Sequence, residues 1–279
     1  MIVVTGATGK VGEPLVAELL AAKAQFRVLA RDPRKLPAGV TAVQGDLGDE
    51  AARQKAFAGA TKVFLLTNST PDSAALQNAV IDSAKRAGVP HLVRLSVLGA
   101  DEKSPVTLAR WHAQTDAHLK ASGMKWTILQ PGYFMQNSLS AVPTVKKDGA
   151  IYGNQGTGKF APIDARDIGA AAAKVLTSAG HEGQTHVLTG QELLTNQDIA
   201  AKLGARLGKA VKYVSLPDDA FRGALLQAGL PDWLAQDYVL MGQTVAQGHA
   251  ASIAPALKTL LGKTRSYDDF LQAYGQAFA

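Results

Sequence analysis

Apolar positions in the first half of the chain fall into two alternating patterns. Short unbroken runs rich in Val, Ile, Leu and Phe read as strands buried on both faces, whereas longer stretches with apolar residues three and four apart read as helices. The runs lie at residues 1–4, 26–30, 40–44, 62–67, 91–96 and 125–130. Helical spacing fills 13–20, 49–58, 71–87 and 106–122. Gly88 and Gly123 stop two of these helices, and Pro33 breaks the chain after the second run. Strands and helices alternating at this pitch predict an α/β fold, a doubly wound parallel sheet with right-handed crossovers.

Past Pro131 the rhythm loosens. Residues 149–158 are rich in glycine and polar side chains and predict a loop with a short strand. Asp164 stands where it can cap a helix and Asp167 falls in that helix's first turn. A strand follows at 185–188, and the chain from Thr195 onward is mostly helical with one further strand at 211–214.

The first strand runs directly into Thr5-Gly6-Ala7-Thr8-Gly9-Lys10-Val11-Gly12, three glycines at spacing G-x-x-G-x-x-G followed by a helix. Gly6 permits a tight turn, Gly9 lets backbone approach a pyrophosphate, and Gly12 lets helix and strand pack closely. The free amides and positive end of the helix then face the phosphates. Three glycines alone are weak evidence; placed between a strand and a helix they predict a dinucleotide-binding Rossmann fold. The predicted organisation is a dinucleotide-binding domain at 1–190, with a loop insertion near 135–160, and a smaller lobe at 191–279. That lobe caps the carboxyl ends of the strands, where ligands of open α/β sheets bind.

The end of the second strand selects the cofactor. An acidic residue there, about twenty residues past the glycines, bonds the ribose 2′-hydroxyl of NAD. Here Arg31 comes first and Asp32 follows immediately before Pro33, where it starts a turn. Arg31 can grip a 2′-phosphate bidentately and stack on adenine, with Arg34 and Lys35 adding positive potential. NADP(H) is therefore favoured over NAD(H), the alternative being that Asp32 reads the ribose. Asp46 and Leu47 end the third strand, where the carboxylate could reach the adenine or merely cap a helix. Thr67 and Asn68 end the fourth and border the expected nicotinamide ribose, although turn chemistry also places such residues there.

These segments, with Ala30-Arg31-Asp32-Pro33 and Gly45-Asp46-Leu47, resemble the atypical short-chain dehydrogenases. Trp126-Thr127-Ile128-Leu129-Gln130-Pro131-Gly132-Tyr133-Phe134-Met135-Gln136-Asn137 resembles the W-T-I-L-R-P-x-x-F-M-x-N segment of the NmrA-like group. That group includes the type 2 NAD(P)H:quinone oxidoreductases and the triphenylmethane reductases, and His181-Glu182-Gly183-Gln184 resembles a segment of the quinone reductases. The resemblance covers nearly the whole chain and thins toward its end. It implies that the glycine loop, Ser96, Pro131, Gly132 and Tyr133 border the cofactor. Two functions follow from it: an NADPH-dependent reductase of quinones or similar planar acceptors, or an NADP(H)-binding redox sensor that acts by binding another protein.

Ordinary short-chain dehydrogenases move a proton with a Tyr-x-x-x-Lys pair, and none of the six tyrosines here has lysine four residues on. The helix that would carry the pair offers Trp111, His112 and Asp116 instead, while Ser96 ends the fifth strand where the usual serine lies. Alcohol–ketone chemistry by that route is not expected. A quinone accepts hydride readily, so the protein need contribute mainly orientation and a dry aromatic pocket. Trp111, His112, Tyr133, Phe134 and Met135 are the candidate substrate contacts, with Phe160 a further one and core packing the plainer role for any single ring. His112 and Ser96 are the candidate catalytic residues. His112 and Asp116, four apart, could pair and hold the imidazole partly protonated as a proton donor; a solvated helix-face pair is the plainer alternative.

Composition narrows the rest. The 279 residues are 47% hydrophobic, with no cysteine, which excludes disulfides and thiol chemistry. No apolar run is long enough to cross a bilayer, and the first residues enter a core strand without a charged leader, so a cytoplasmic protein is expected. The net charge is +6, but the basic residues are scattered and the densest group, Arg27, Arg31, Arg34 and Lys35, suits an anionic small molecule better than nucleic acid. His112 and His118 lie on different helix faces and no H-E-x-x-H occurs, so no metal is expected. A homo-oligomer is left open.

Overall fold

The computed structural model describes all 279 residues. Seven parallel strands form the main sheet: β1 (Ile2–Val4), β2 (Phe26–Ala30), β3 (Ala42–Gln44), β4 (Lys62–Leu65), β5 (His91–Leu95), β6 (Lys125–Pro131) and β8 (Gln184–Leu188). Their order is β3-β2-β1-β4-β5-β6-β8. The chain reverses direction of growth between β1 and β4, and the crevice at that switch is where a doubly wound sheet binds its ligand. The sheet's first strand shows why both faces are apolar: Val3 points into one core and Ile2 and Val4 into the other.

On one face lie α1 (Gly12–Ala21) and α6 (Ala165–Thr177), whose Leu15, Val16, Leu19, Ile168 and Val175 pack on Val4, Phe64 and Leu129. On the other lie α2 (Glu50–Phe57), α3 (Ser73–Arg86) and α4 (Thr107–Ala121), burying Phe57, Val80, Ile81 and Leu119 against Val63, Leu65 and Leu92. Proline at 33 ends the extended chain in a single 3₁₀ turn, Pro33–Lys35, and the third strand starts at Ala42 rather than at residue 40.

A third core gathers Met135, Val145, Phe160, Leu194, Ile199, Leu203, Tyr267, Phe270 and Phe278. Around it are α5 (Val142–Asp148), α7 (Asn196–Leu207) and α11 (Tyr267–Tyr274), with a separate two-stranded parallel sheet of β7 (Ala150–Gly153) and β9 (Lys212–Ser215). The helical hairpin α8 (Asp218–Gln227) and α9 (Asp232–Ala246) extends from this lobe toward α4. α10 (Ala256–Leu261) returns to the main sheet, where Leu257 enters the first core. No helix is long and apolar enough to cross a membrane.

Candidate functional site

The loop from Thr5 to Val11 sits at the switch between β1 and β4, and Thr5 fixes it there. The Thr5 hydroxyl donates to the carbonyls of Phe64 and Leu66 (3.1 and 3.0 Å) and accepts from the amide of Leu66 at 2.9 Å. Gly6 has φ +67°, and a Cβ there would lie 2.7 Å from the Leu66 carbonyl. A Cβ at Gly12 would lie 2.0 Å from the Gly6 carbonyl, so α1 presses directly on the loop. Gly9 differs: a Cβ would meet only the Gly6 carbonyl, at 3.4 Å. The fold therefore requires glycine at 6 and 12, whereas at 9 it leaves room for a side chain, and the bare backbone there lets a pyrophosphate approach the loop.

The donors for such a molecule are present. The amides of Ala7, Thr8, Lys10, Val11 and Gly12 have no backbone partner, and the N-terminus of α1 has no side-chain cap. Unspent amides at the positive end of a helix are the chemistry a pyrophosphate needs, so these residues fit a dinucleotide.

At the adenosine end Asp32 is already engaged. Its carboxylate accepts from the Arg34 amide (3.1 Å) and from the Arg34 guanidinium at 2.8 and 3.1 Å, which caps the 3₁₀ turn. Arg34 is thereby clasped by Asp32. Arg31 is exposed, and the one ion pair of its guanidinium is with Asp46 at 4.0 Å. Asp46 folds back on its own loop, accepting from the Gly48 amide at 2.7 Å; the cap of α2 is Asp49 instead. Arg53 holds the same loop by donating to the Leu47 carbonyl at 2.7 Å.

Beneath the strand ends runs a buried polar network that the helical pattern of α4 did not reveal. Arg94, fully buried in β5, forms an ion pair with Asp116. Its Nε donates to Gln77 Oε1 at 2.9 Å and its Nη2 to His112 Nδ1 at 3.0 Å. Asp116 also accepts from the Ser96 hydroxyl at 2.7 Å, and Gln77 Nε2 donates to Thr67 Oγ1 at 2.9 Å. Two expectations are corrected here. Asp116 pairs with Arg94 rather than with His112, and it is buried rather than solvated. Burial first, and then the Arg94 charge, push His112 down to about 3, so it is a neutral ring at physiological pH and no proton-bearing acid. A charged residue inside the apolar run His91-Leu92-Val93-Arg94-Leu95 was the sequence signal for this network.

The aromatic candidates divide. Tyr133 is 40% exposed and meets Phe160 edge-on, with ring centroids 5.4 Å apart. Leu98 is exposed beside it, its amide bonded to the Pro131 carbonyl at 2.9 Å and its side chain near Gly132. Trp111 is half-buried against Trp233 of α9, with centroids 5.0 Å apart. Met135 is corrected: it is sealed in the third core, 1% exposed, and cannot touch a ligand as placed. Phe134 is partly buried and packs against the first core. Trp233 and Asp237 were not foreseen. The Asp237 carboxylate caps α4 from across the cleft, accepting from the amides of Thr107 and Leu108, both at 2.8 Å. Two surface hollows, one beside Ile253 and Lys258 and one beside Arg166 and Gln272, include none of the glycine-loop residues. No group of three or more His, Cys, Asp or Glu is arranged to hold a metal ion.

This geometry has close counterparts among known proteins. The chain is 36% identical over 283 residues to the NAD(P)H azoreductase of Xenophilus azovorans, spanning 100% of this chain and 99% of that one. It is 36% identical over 269 residues to quinone oxidoreductase 2 of Escherichia coli, 94% of each chain. Among solved structures, the NADPH-dependent quinone oxidoreductase of Escherichia coli complexed with NADPH matches with a TM-score of 0.90 at 34% identity, covering 98% of this chain and 99% of that one. Residues 1–271 match the model of the NmrA-like family, and the chain belongs to that family.

Proposed function

We propose that the chain is an NADPH-dependent reductase that delivers hydride to a quinone or a similar planar aromatic acceptor. The chain is an oxidoreductase and takes NADP(H): its full-length relatives are named as such, and the unspent amides of the glycine loop and the exposed Arg31 fit that cofactor. When bound, the dinucleotide supplies the hydride. Ala7 to Gly12 hold the pyrophosphate, Arg31 holds the 2′-phosphate, and Thr67 and Asn68 flank the nicotinamide ribose. Tyr133, Leu98 and Trp111 form the walls that orient the acceptor and keep water out.

One observation carries the choice of acceptor. The place that would hold a Tyr–Lys proton donor holds a neutral imidazole and a carboxylate bonded to Arg94 and Ser96. Such a site suits an acceptor whose reduced form is a stabilised anion that collects its proton from water, as a quinone's is. Purified protein mixed with NADPH and a panel of quinones and azo compounds should oxidise NADPH, read at the nicotinamide absorbance band. Measured NADPH binding without any consumption above the protein-free rate would favour the redox-sensor reading instead.

A further inference from the structure

His112 is the half-buried member of the polar network around Arg94, whose other ionisable groups, Arg94 and Asp116, are buried. α4 runs back against β5, and Ser96 at the end of β5 bonds Asp116, in the middle of that helix. His112 is one turn nearer the start of α4, about 6 Å from Asp116 along the helix axis, toward the carboxyl ends of the strands, where ligands of open α/β sheets bind. Its Nδ1 faces Arg94 Nη2 at 3.0 Å. A guanidinium has only donors, so Nδ1 must be the accepting nitrogen and the ring proton must sit on Nε2. Nε2 has no hydrogen-bond partner, yet it is absent from the sealed, unpartnered atoms, which are Asn78 Oδ1, His91 Nδ1 and Asn154 Oδ1. It is therefore not completely sealed from solvent.

We propose that Arg94 is a positioning residue that locks His112 as the Nε2–H tautomer, and that this N–H donates a hydrogen bond to the acceptor oxygen that gains charge. This deepens the reductase reading and rests on it. The step balances without a protein acid. Hydride leaves the cofactor and forms a bond to the acceptor, both electrons reside on the acceptor as its hydroquinone anion, and water supplies the proton that completes the hydroquinone. His112 stabilises the oxyanion and keeps its own proton. Protonating Nδ1 would place an N–H against the Arg94 N–H, so the ring is held as a permanent donor. Asp116 holds Arg94 in place, and the Ser96 and Gln130 side chains bonded to Asp116 complete the support.

The test has an arm that needs no turnover. Long-range ¹H–¹⁵N spectra of the full chain, with His112 assigned by difference from His112→Gln, should show one neutral Nε2–H ring that does not titrate between about pH 8 and about pH 5. A cationic ring or an Nδ1–H tautomer would overturn the proposal. In R94M/D116L, which replaces the buried pair by apolar side chains, the ring should populate both tautomers; an unchanged tautomer removes Arg94 from the role. If that variant does not fold, the wild-type spectrum decides. In the assay, His112→Phe should lower kcat about a hundredfold with NADPH affinity unchanged, and His112→Gln, which keeps an N–H near the same place, should recover most of the loss. A His112→Phe enzyme as fast as wild type sinks the donor role. A wild type that oxidises no NADPH fails the reductase reading and the donor role with it, while the spectrum still reports separately whether Arg94 sets the tautomer.

Discussion

At the scale of single residues, two pairs that look alike in sequence behave differently in space. Arg31 and Arg34 are both basic and exposed, but Arg34 is bound by Asp32 and Arg31 is not. Charge-assisted hydrogen bonds contribute about 1.5–3 kcal/mol each, so Arg31→Ala should cut the preference for NADPH over NADH about 10- to 100-fold. Arg34→Ala should change it little; comparing kcat/KM for the two cofactors across both variants checks this, and equal effects would remove Arg31 as the clamp. Gly9 and Gly12 form the second pair. A methyl at Gly12 collides with the Gly6 carbonyl, whereas one at Gly9 meets ordinary contact. Gly12→Ala should therefore lose both thermal stability and NADPH binding. Gly9→Ala should keep its Tm and lose binding alone, as read by cofactor fluorescence.

At the scale of elements, the start of α4 matters most. Its N-cap, Val106, offers no side-chain acceptor, and the cap comes instead from Asp237, 1% exposed in α9. The carboxylate stabilises the positive end of α4 and at the same time fastens α9 to the wall of the cleft, beside the Trp111–Trp233 contact. Loss of a cap costs about 1–2 kcal/mol. Asp237→Ala should lower stability by about that much and raise KM for the acceptor more than KM for NADPH, because α9 packs on Trp111, a wall of the proposed acceptor site. Asp237→Asn, which retains one accepting oxygen, should recover part of both effects.

For the whole molecule, buried bases set the response to acid. Desolvation first, then the charge of Lys62, pushes His91 down to about 4, with Glu182 opposing and Lys125 and His181 reinforcing the shift. His112 lies lower still, at about 3. Between those values and the ordinary histidine value the unfolded chain binds more protons than the folded one, so stability rises with pH there and falls as the solution is acidified. Glu50, held at about 2 by Arg86, Arg53 and Ser83, adds a loss below the ordinary glutamate range. Urea midpoints measured at about pH 7 and about pH 5 should therefore fall toward acid, and His91→Leu should flatten the slope. An unchanged midpoint would mean that these rings are solvated.

How much of this was legible follows from what each feature depends on. The parallel sheet, the glycine loop and the turn at Asp32 rest on local periodicity, backbone freedom and a proline, all carried by neighbouring residues. The run around Arg94 read correctly as a strand, but spacing along one helix paired His112 with Asp116. The structure sends Asp116 to Arg94, because a buried carboxylate takes the strongest donor in reach, and that donor comes from another element. Met135 read as a possible wall for the same reason: an apolar side chain after a strand end suits a pocket or a core equally, and only the arrival of α11 and its neighbours fills the space around it. The chain alone determined that there would be a dinucleotide fold with a glycine loop between its first strand and helix and an arginine just after the second strand. Tertiary structure alone decided the protonation state of His112, the cap on α4 and which rings face the cleft, because each is set by groups far apart in sequence and close in space.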